Sequence, residues 1–121
     1  VTRSRATAKQ AGSAFERLIA DRLNVTVDDR IDRRVKTGAT DKGDIAGVRL
    51  PDGRRVVIET KDHGGRYLVG EWLREAEAER VNDGAAIAMV VAKRRGTTNP
   101  DEQVVFMTLR DVITLITSKE T

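Results

Sequence analysis

The chain has 121 residues, the size of one compact domain, and its 39% apolar residues are enough for a core beside 34% charged ones. It has no cysteine and one histidine, which excludes disulfides, thiolate zinc sites and cysteine nucleophiles and argues against His-rich metal sites and His-based triads. The net charge is +3, with ten Lys and Arg against six acids in residues 1–42 and a second basic knot at Lys93-Arg94-Arg95, a distribution that suits a polyanionic partner as well as an ordinary solubilising surface.

Read from the start, VTRSRATAKQ lacks the apolar stretch of a secretion signal, and no later run approaches the ~18 apolar residues of a membrane span. The expectation is a cytoplasmic protein with no membrane partner, one domain over 1–121, and a basic arm at 1–7. The initial Val points to a missing Met or an unusual start codon. Residues 8–23 place Ala11, Phe15, Leu18, Ile19 and Leu23 at helical spacing, with Arg17 and Asp21 as an exposed i,i+4 pair. A strand is expected near Arg30–Val35, then a Gly-, Thr- and Asp-rich loop at 38–43. Residues 44–50 and 54–61 flank Pro51-Asp52-Gly53 and predict a β-hairpin. A second helix over 68–82 carries Val69, Trp72, Leu73 and Ala76 and ends at Asp83-Gly84. The near-continuous apolar run 85–92 predicts a strand covered on both faces. A further strand at 103–109 and a terminal helix at 111–118, with Asp111 as its candidate cap, complete the chain. The order α-β-β-β-α-β-β-α defines an α/β sandwich with one core, a mixed central sheet flanked by helices.

Three carboxylates stand out. Glu16 sits at the edge of the first helix's apolar stripe, where it must be ion-paired, hydrogen-bonded or metal-bound to avoid a desolvation cost of several kcal/mol. On the hairpin, period-2 alternation groups Asp44 with Ala46, Val48 and Leu50, and Glu59 with Arg55, Val57 and Lys61. A two-residue loop at Asp52-Gly53 sets Asp44 opposite Lys61 and Ala46 opposite Glu59, so Asp44, Glu59 and Lys61 converge on one face; a one-residue slip would scatter them. Two such carboxylates suit Mg²⁺, with Mn²⁺ as substitute, and a nearby lysine suits an attacking water or the charge of a phosphorane. The plainer alternative is a cross-strand Asp44–Lys61 salt bridge.

Gly43-Asp44 opening one strand, Glu59-Thr60-Lys61 on the next, and Glu16 within GSAFER on a preceding helix resemble the PD-(D/E)xK nuclease superfamily. Over residues 8–92 the predicted order is also similar to its restriction-endonuclease-like αβββαβ core. The strings GSAFERLIADRL, RIDRRVKTGATDKGDIAGV, VVIETKD, EWLREAEAERVNDGA and VVAKRRG look most like Holliday-junction resolvases of the archaeal type and resolvase-like proteins of actinobacterial phages. The one departure is Gly43 where the motif's proline would stand. The resemblance implies metal-dependent cleavage of branched double-stranded DNA by a homodimer, in a bacterial host if the chain is phage-encoded. It implies Asp44 and Glu59 as metal ligands, Lys61 as catalytic lysine and Glu16 as the additional acidic catalytic and metal-binding residue. Arg30, Arg33, Arg34 and Lys36, and Lys93, Arg94 and Arg95, are then expected to grip phosphates. Other nucleases of the same fold (nicking or restriction-type), an RNA nuclease and a non-catalytic DNA-binding module remain rival readings. His63 and Ser13 read as surface, Trp72 as core or subunit packing, and Glu75, Glu77 and Glu79 as a solvated face balanced by Arg74 and Arg80.

Overall fold

The computed structural model describes residues 3–36, 38 and 40–120. A five-stranded mixed sheet is covered by one helix on each face, with a third helix at its edge. Chain order is α1 (Arg5–Thr26), β1 (Asp32–Arg33), β2 (Ile45–Ala46), β3 (Val56–Lys61), α2 (Val69–Asp83), β4 (Ile87–Ala92), a 3₁₀ turn (Pro100–Glu102), β5 (Val104–Phe106) and α3 (Leu109–Thr117). Spatial order follows chain order. The β1–β2, β2–β3 and β4–β5 pairs are antiparallel, and β3–β4 is parallel across the α2 crossover.

The α1 helix starts before the expected boundary because Ser4 caps it, its hydroxyl accepting from the Thr7 N–H at 3.1 Å. Residues 5–7, expected in a basic arm, are therefore helical. The α2 helix ends where expected: Gly84 adopts φ 65°, and the following Ala85 N–H donates to the Arg80 carbonyl at 3.0 Å.

The sheet divides the interior, so the single core expected from the sequence is two apolar clusters. Phe15, Ile19 and Ala20 of α1 pack on Ile45, Val56, Ile58, Ile87 and Val91. On the other face Trp72 and Ala76 of α2 pack on Val57, Ala88, Val90 and Ala92. Alternation along β3 and β4 feeds both layers, which is why the apolar run 85–92 is almost continuous.

The last strand is shorter than 103–109 because Thr108 begins a helix there. Thr108, not Asp111, caps α3, its side chain accepting from the Asp111 N–H. Asp111 is buried inside the first turn, where its carboxylate accepts from the Ala88 N–H of β4 at 3.0 Å. Leu109, Ile113 and Ile116 share one α3 face, spaced i, i+4, i+7, and are 72%, 53% and 73% exposed.

Candidate functional site: an acidic group between the sheet and the second helix

The hairpin register differs from the expected one in two places. The loop has three residues: the Leu50 N–H donates to the Arg54 carbonyl and the Gly53 N–H to the Leu50 carbonyl, both at 2.8 Å, with Gly53 at φ 90°. A second extra residue enters near Gly47, φ 91°, between the Arg49↔Arg55 bridge and the Ile45↔Ile58 pair. Asp44 thus comes opposite Glu59 rather than Lys61. Each one-residue offset exchanges the sheet faces, and two restore them, so the convergence of Asp44, Glu59 and Lys61 survives a wrong register.

That face is the α2 face. Ile45 and Ile58 point to α1, so Asp44 and Glu59, one residue along each chain, point to α2. The Asp44 carboxylate is bound at both oxygens: Lys36 Nζ donates to Oδ1 at 3.0 Å, and the Thr60 N–H and hydroxyl donate to Oδ2 at 2.8 and 3.1 Å. Burial pushes its pKa up, but a hydrogen bond shared with Glu59, the Thr60 N–H and Lys36 outweigh burial and hold it low. Lys36 is correspondingly raised, first by its hydrogen bond to Asp44. Burial, then Asp44 and Glu79, push Glu59 up to about 12, so Glu59 keeps its proton at neutral pH in the absence of a cation.

Lys61 Nζ donates to Glu75 of α2 at 2.7 Å. Burial disfavours its charge, but Glu75 and Glu59 more than offset this and raise the ammonium's pKa. Glu75, Glu79 and Asp83 recur every four residues on α2 and face β3 as a row. Glu75 meets Lys61, Glu79 meets Glu59, and Asp83 meets Arg55 at 3.2 Å. The expected solvated face therefore holds for Glu77, paired with Arg80 at 2.6 Å, and fails for Glu79, which is buried. Asp41 joins from the loop, whose Asp41 carbonyl accepts from Asn82 of α2 at 2.9 Å. One carboxylate oxygen from each of Asp41, Glu59 and Glu79 lies within 4.8 Å of those of the other two. Burial raises the pKa of Glu79 as well; a hydrogen bond with Glu59 counters this, while Asp41 and Asp44 add to it.

Glu16 is elsewhere. It lies in the α1 layer, where Arg33 Nε donates to its Oε1 at 3.0 Å; Arg33 pairs with Ile45 and so shares the α1 face. The ion-paired alternative accounts for its position at the edge of the stripe, and nothing brings it to the acidic group among the described residues.

Two clefts adjoin this group, one reaching Asp41 and the other Thr60 and Lys61. One of about 270 Å³ is lined by Arg34, Lys36, Asp41, Lys42 and Gly43. The other, of about 580 Å³, is lined by Arg3, Gly12, Thr60, Lys61, Arg66 and Arg95, among others. Of the basic residues expected at phosphates, Arg34, Lys36 and Arg95 line these clefts, Arg34 paired with Asp83 at 3.8 Å and Lys36 with Asp44, while Arg30 is paired with Asp28 and Arg33 with Glu16 away from them. Lys93 turns into its own loop, donating to the Arg94 and Thr97 carbonyls, and Arg94 is exposed. Arg3 and Arg66 were missed because lone arginines give no clustered signal. His63 is exposed with its ring 5.1 Å from buried Trp72, and Ser13 is exposed, as the plainer readings of all three require. No helix among the described residues is long and apolar enough to cross a membrane.

No protein-family model, no curated protein and no solved structure matches the chain.

Proposed function

We propose that the protein is a metal-dependent, structure-selective DNA endonuclease, a Holliday-junction resolvase acting as a homodimer on four-way DNA. The observation that carries this reading is Asp44 beside Glu59 on one sheet face, with Lys61 two residues further along it and basic clefts reaching Lys36 and Lys61. The donor set fits a small divalent cation: hard carboxylate oxygens, buried in mutual contact, with more negative groups than neighbouring ammonium groups to balance them. Asp44 and Glu59 would hold Mg²⁺, or Mn²⁺ in its place, which would supply Lewis-acid polarisation of the scissile phosphate and lower the pKa of a bound water.

The chain's own contributions follow from position. Lys61 stays charged beside the acids and is held in place by Glu75, so it can orient the attacking water or offset charge on the phosphoryl oxygens. Water adds to phosphorus and the P–O3′ bond breaks, leaving a 5′-phosphate and a 3′-hydroxyl, as the family resemblance implies. Arg66 and Arg95 in the larger cleft neutralise backbone phosphates without reading bases; Arg3, Arg34 and Lys36 also line the clefts but are paired with Asp62, Asp83 and Asp44. A four-way junction needs two matched cuts, and an isologous pair supplies two sites. The exposed Leu109, Ile113 and Ile116 face of α3 supports pairing of copies.

The test is cleavage of matched linear, flap and four-way DNA in Mg²⁺, with the double variant Asp44→Asn, Glu59→Gln beside the wild type. The expected result is four-way DNA cut fastest, and a variant that binds DNA without cutting it. Equal rates on all three substrates would remove junction selectivity and leave a nicking or restriction-type nuclease. A wild type that binds DNA but is inert in both Mg²⁺ and Mn²⁺ would leave a binding module.

A further inference from the structure

The row of contacts between residues 55–61, which are β3 and the residue before it, and α2 pairs base with acid except at its centre. At one end Lys61 meets Glu75 at 2.7 Å, and at the other Arg55 meets Asp83 at 3.2 Å. Between them an acid meets an acid, Glu59 against Glu79, with Asp41 closing from the loop. Among the described residues no ammonium or guanidinium pairs directly with Asp41, Glu59 or Glu79; the nearby Lys36, raised by the charges of Asp41 and Glu59, spends its hydrogen bond on Asp44.

A second observation is independent of this clustering. Glu79 is 96% buried, being 4% exposed, and its Oε2 meets no hydrogen-bond donor among the described residues. The hydrogen bond with Glu59 offsets part of the cost of burying the Glu79 carboxylate, but Oε2 is desolvated with no bond of its own. Asp44, by contrast, is served by Lys36 and Thr60 at both oxygens. The unmet demand for positive charge is thus on the α2 side of Glu59.

We propose that Asp41, Glu59 and Glu79 form a seat for a small divalent cation, with Glu79 of α2 supplying a ligand. Three monodentate carboxylates from three separate elements leave the remaining positions of an octahedral ion to water or phosphate oxygen, which suits Mg²⁺ and Mn²⁺ better than Ca²⁺, with its six to eight ligands. The seat shares Glu59 with the nuclease centre and deepens that reading, but cation binding does not depend on DNA being cut. Its role there is to bring the second helix into the metal centre in place of a ligand from the first.

The experiment is Mn²⁺ binding to the full chain without DNA, followed by calorimetry and by the spin-resonance signal of free Mn²⁺. Glu79→Gln and, separately, Asp41→Asn are compared with the wild type and with Glu71→Gln, an exposed position on the same helix. The expected result is loss of one bound Mn²⁺, or at least tenfold weaker binding, in Glu79→Gln and Asp41→Asn, with Glu71→Gln as the wild type. Wild-type binding absent at millimolar Mn²⁺, or changed less than tenfold in both site variants, overturns the seat. Asp41 is in an exposed loop, so its variant keeps the test open should Glu79→Gln not fold. A chain that binds Mn²⁺ through Glu79 yet cuts no DNA refutes the nuclease reading and keeps the seat. A nuclease whose Glu79→Gln and Asp41→Asn variants bind Mn²⁺ normally does the reverse.

Discussion

Replacing Glu59 by Gln should stabilise the metal-free protein at neutral pH, although it removes a residue from the proposed catalytic centre. In the folded chain burial, then Asp44 and Glu79, push Glu59 up to about 12, from an ordinary value of 4.5. Below pH 4.5 both folded and unfolded forms carry the proton and the contribution is complete. Above it the unfolded chain ionises while the folded chain does not, so stability falls by about 1.4 kcal/mol per pH unit until the folded group itself titrates. At pH 7.5, three units above the unfolded value, the loss reaches about 4 kcal/mol. Glutamine has no proton to lose, and its amide replaces the donor that protonated Glu59 offers Asp44. The assay is urea unfolding in EDTA from pH 5 to 7.5. Wild type and Glu59→Gln should differ by about 1 kcal/mol or less at pH 5 and separate by up to about 4 kcal/mol at pH 7.5, the variant being the more stable. The depressed Asp44 works in the opposite sense, its stabilisation being lost only as pH falls through its lowered value, below this window. Parallel profiles for the two proteins across this range would refute the account of Glu59.

Lys61→Ala should lower cleavage about 10²–10³-fold, measured by single-turnover rates. Its stability should change by less than about 1 kcal/mol, because the Lys61–Glu75 pair is partly solvated. Gly47→Ala should cost at least about 1–3 kcal/mol in urea unfolding, since φ is 91° and a Cβ would lie 2.8 Å from the Arg30 carbonyl oxygen. An unchanged midpoint would show that the extra residue near Gly47 does not define the register. Asp111→Ala leaves the buried Ala88 N–H without its partner and should cost about 1–3 kcal/mol, with faster amide exchange at Ala88 as the local readout.

What the amino-acid order determined by itself is whatever rests on short-range repetition. Helical spacing located α1 and α2, Gly84 marked the end of α2, and the apolar run 85–92 marked the doubly covered strand. Alternation also put Asp44 and Glu59 on one face, and survived two register errors because side-chain direction depends only on whether the offset is odd or even. The spacing of Glu75, Glu79 and Asp83 was visible too, a four-residue stripe on the same helix as Trp72 and Ala76. Tertiary structure alone decided which stripe meets which strand. Local periodicity says that a helix has a buried side, but the layer it joins depends on the path of the connecting chain. That path sends α1 to the far face, where Glu16 finds Arg33, and brings α2 over Glu59. Which carboxylates share a site is therefore a property of the layers, and a carboxylate's cost of burial depends on the neighbour it meets there.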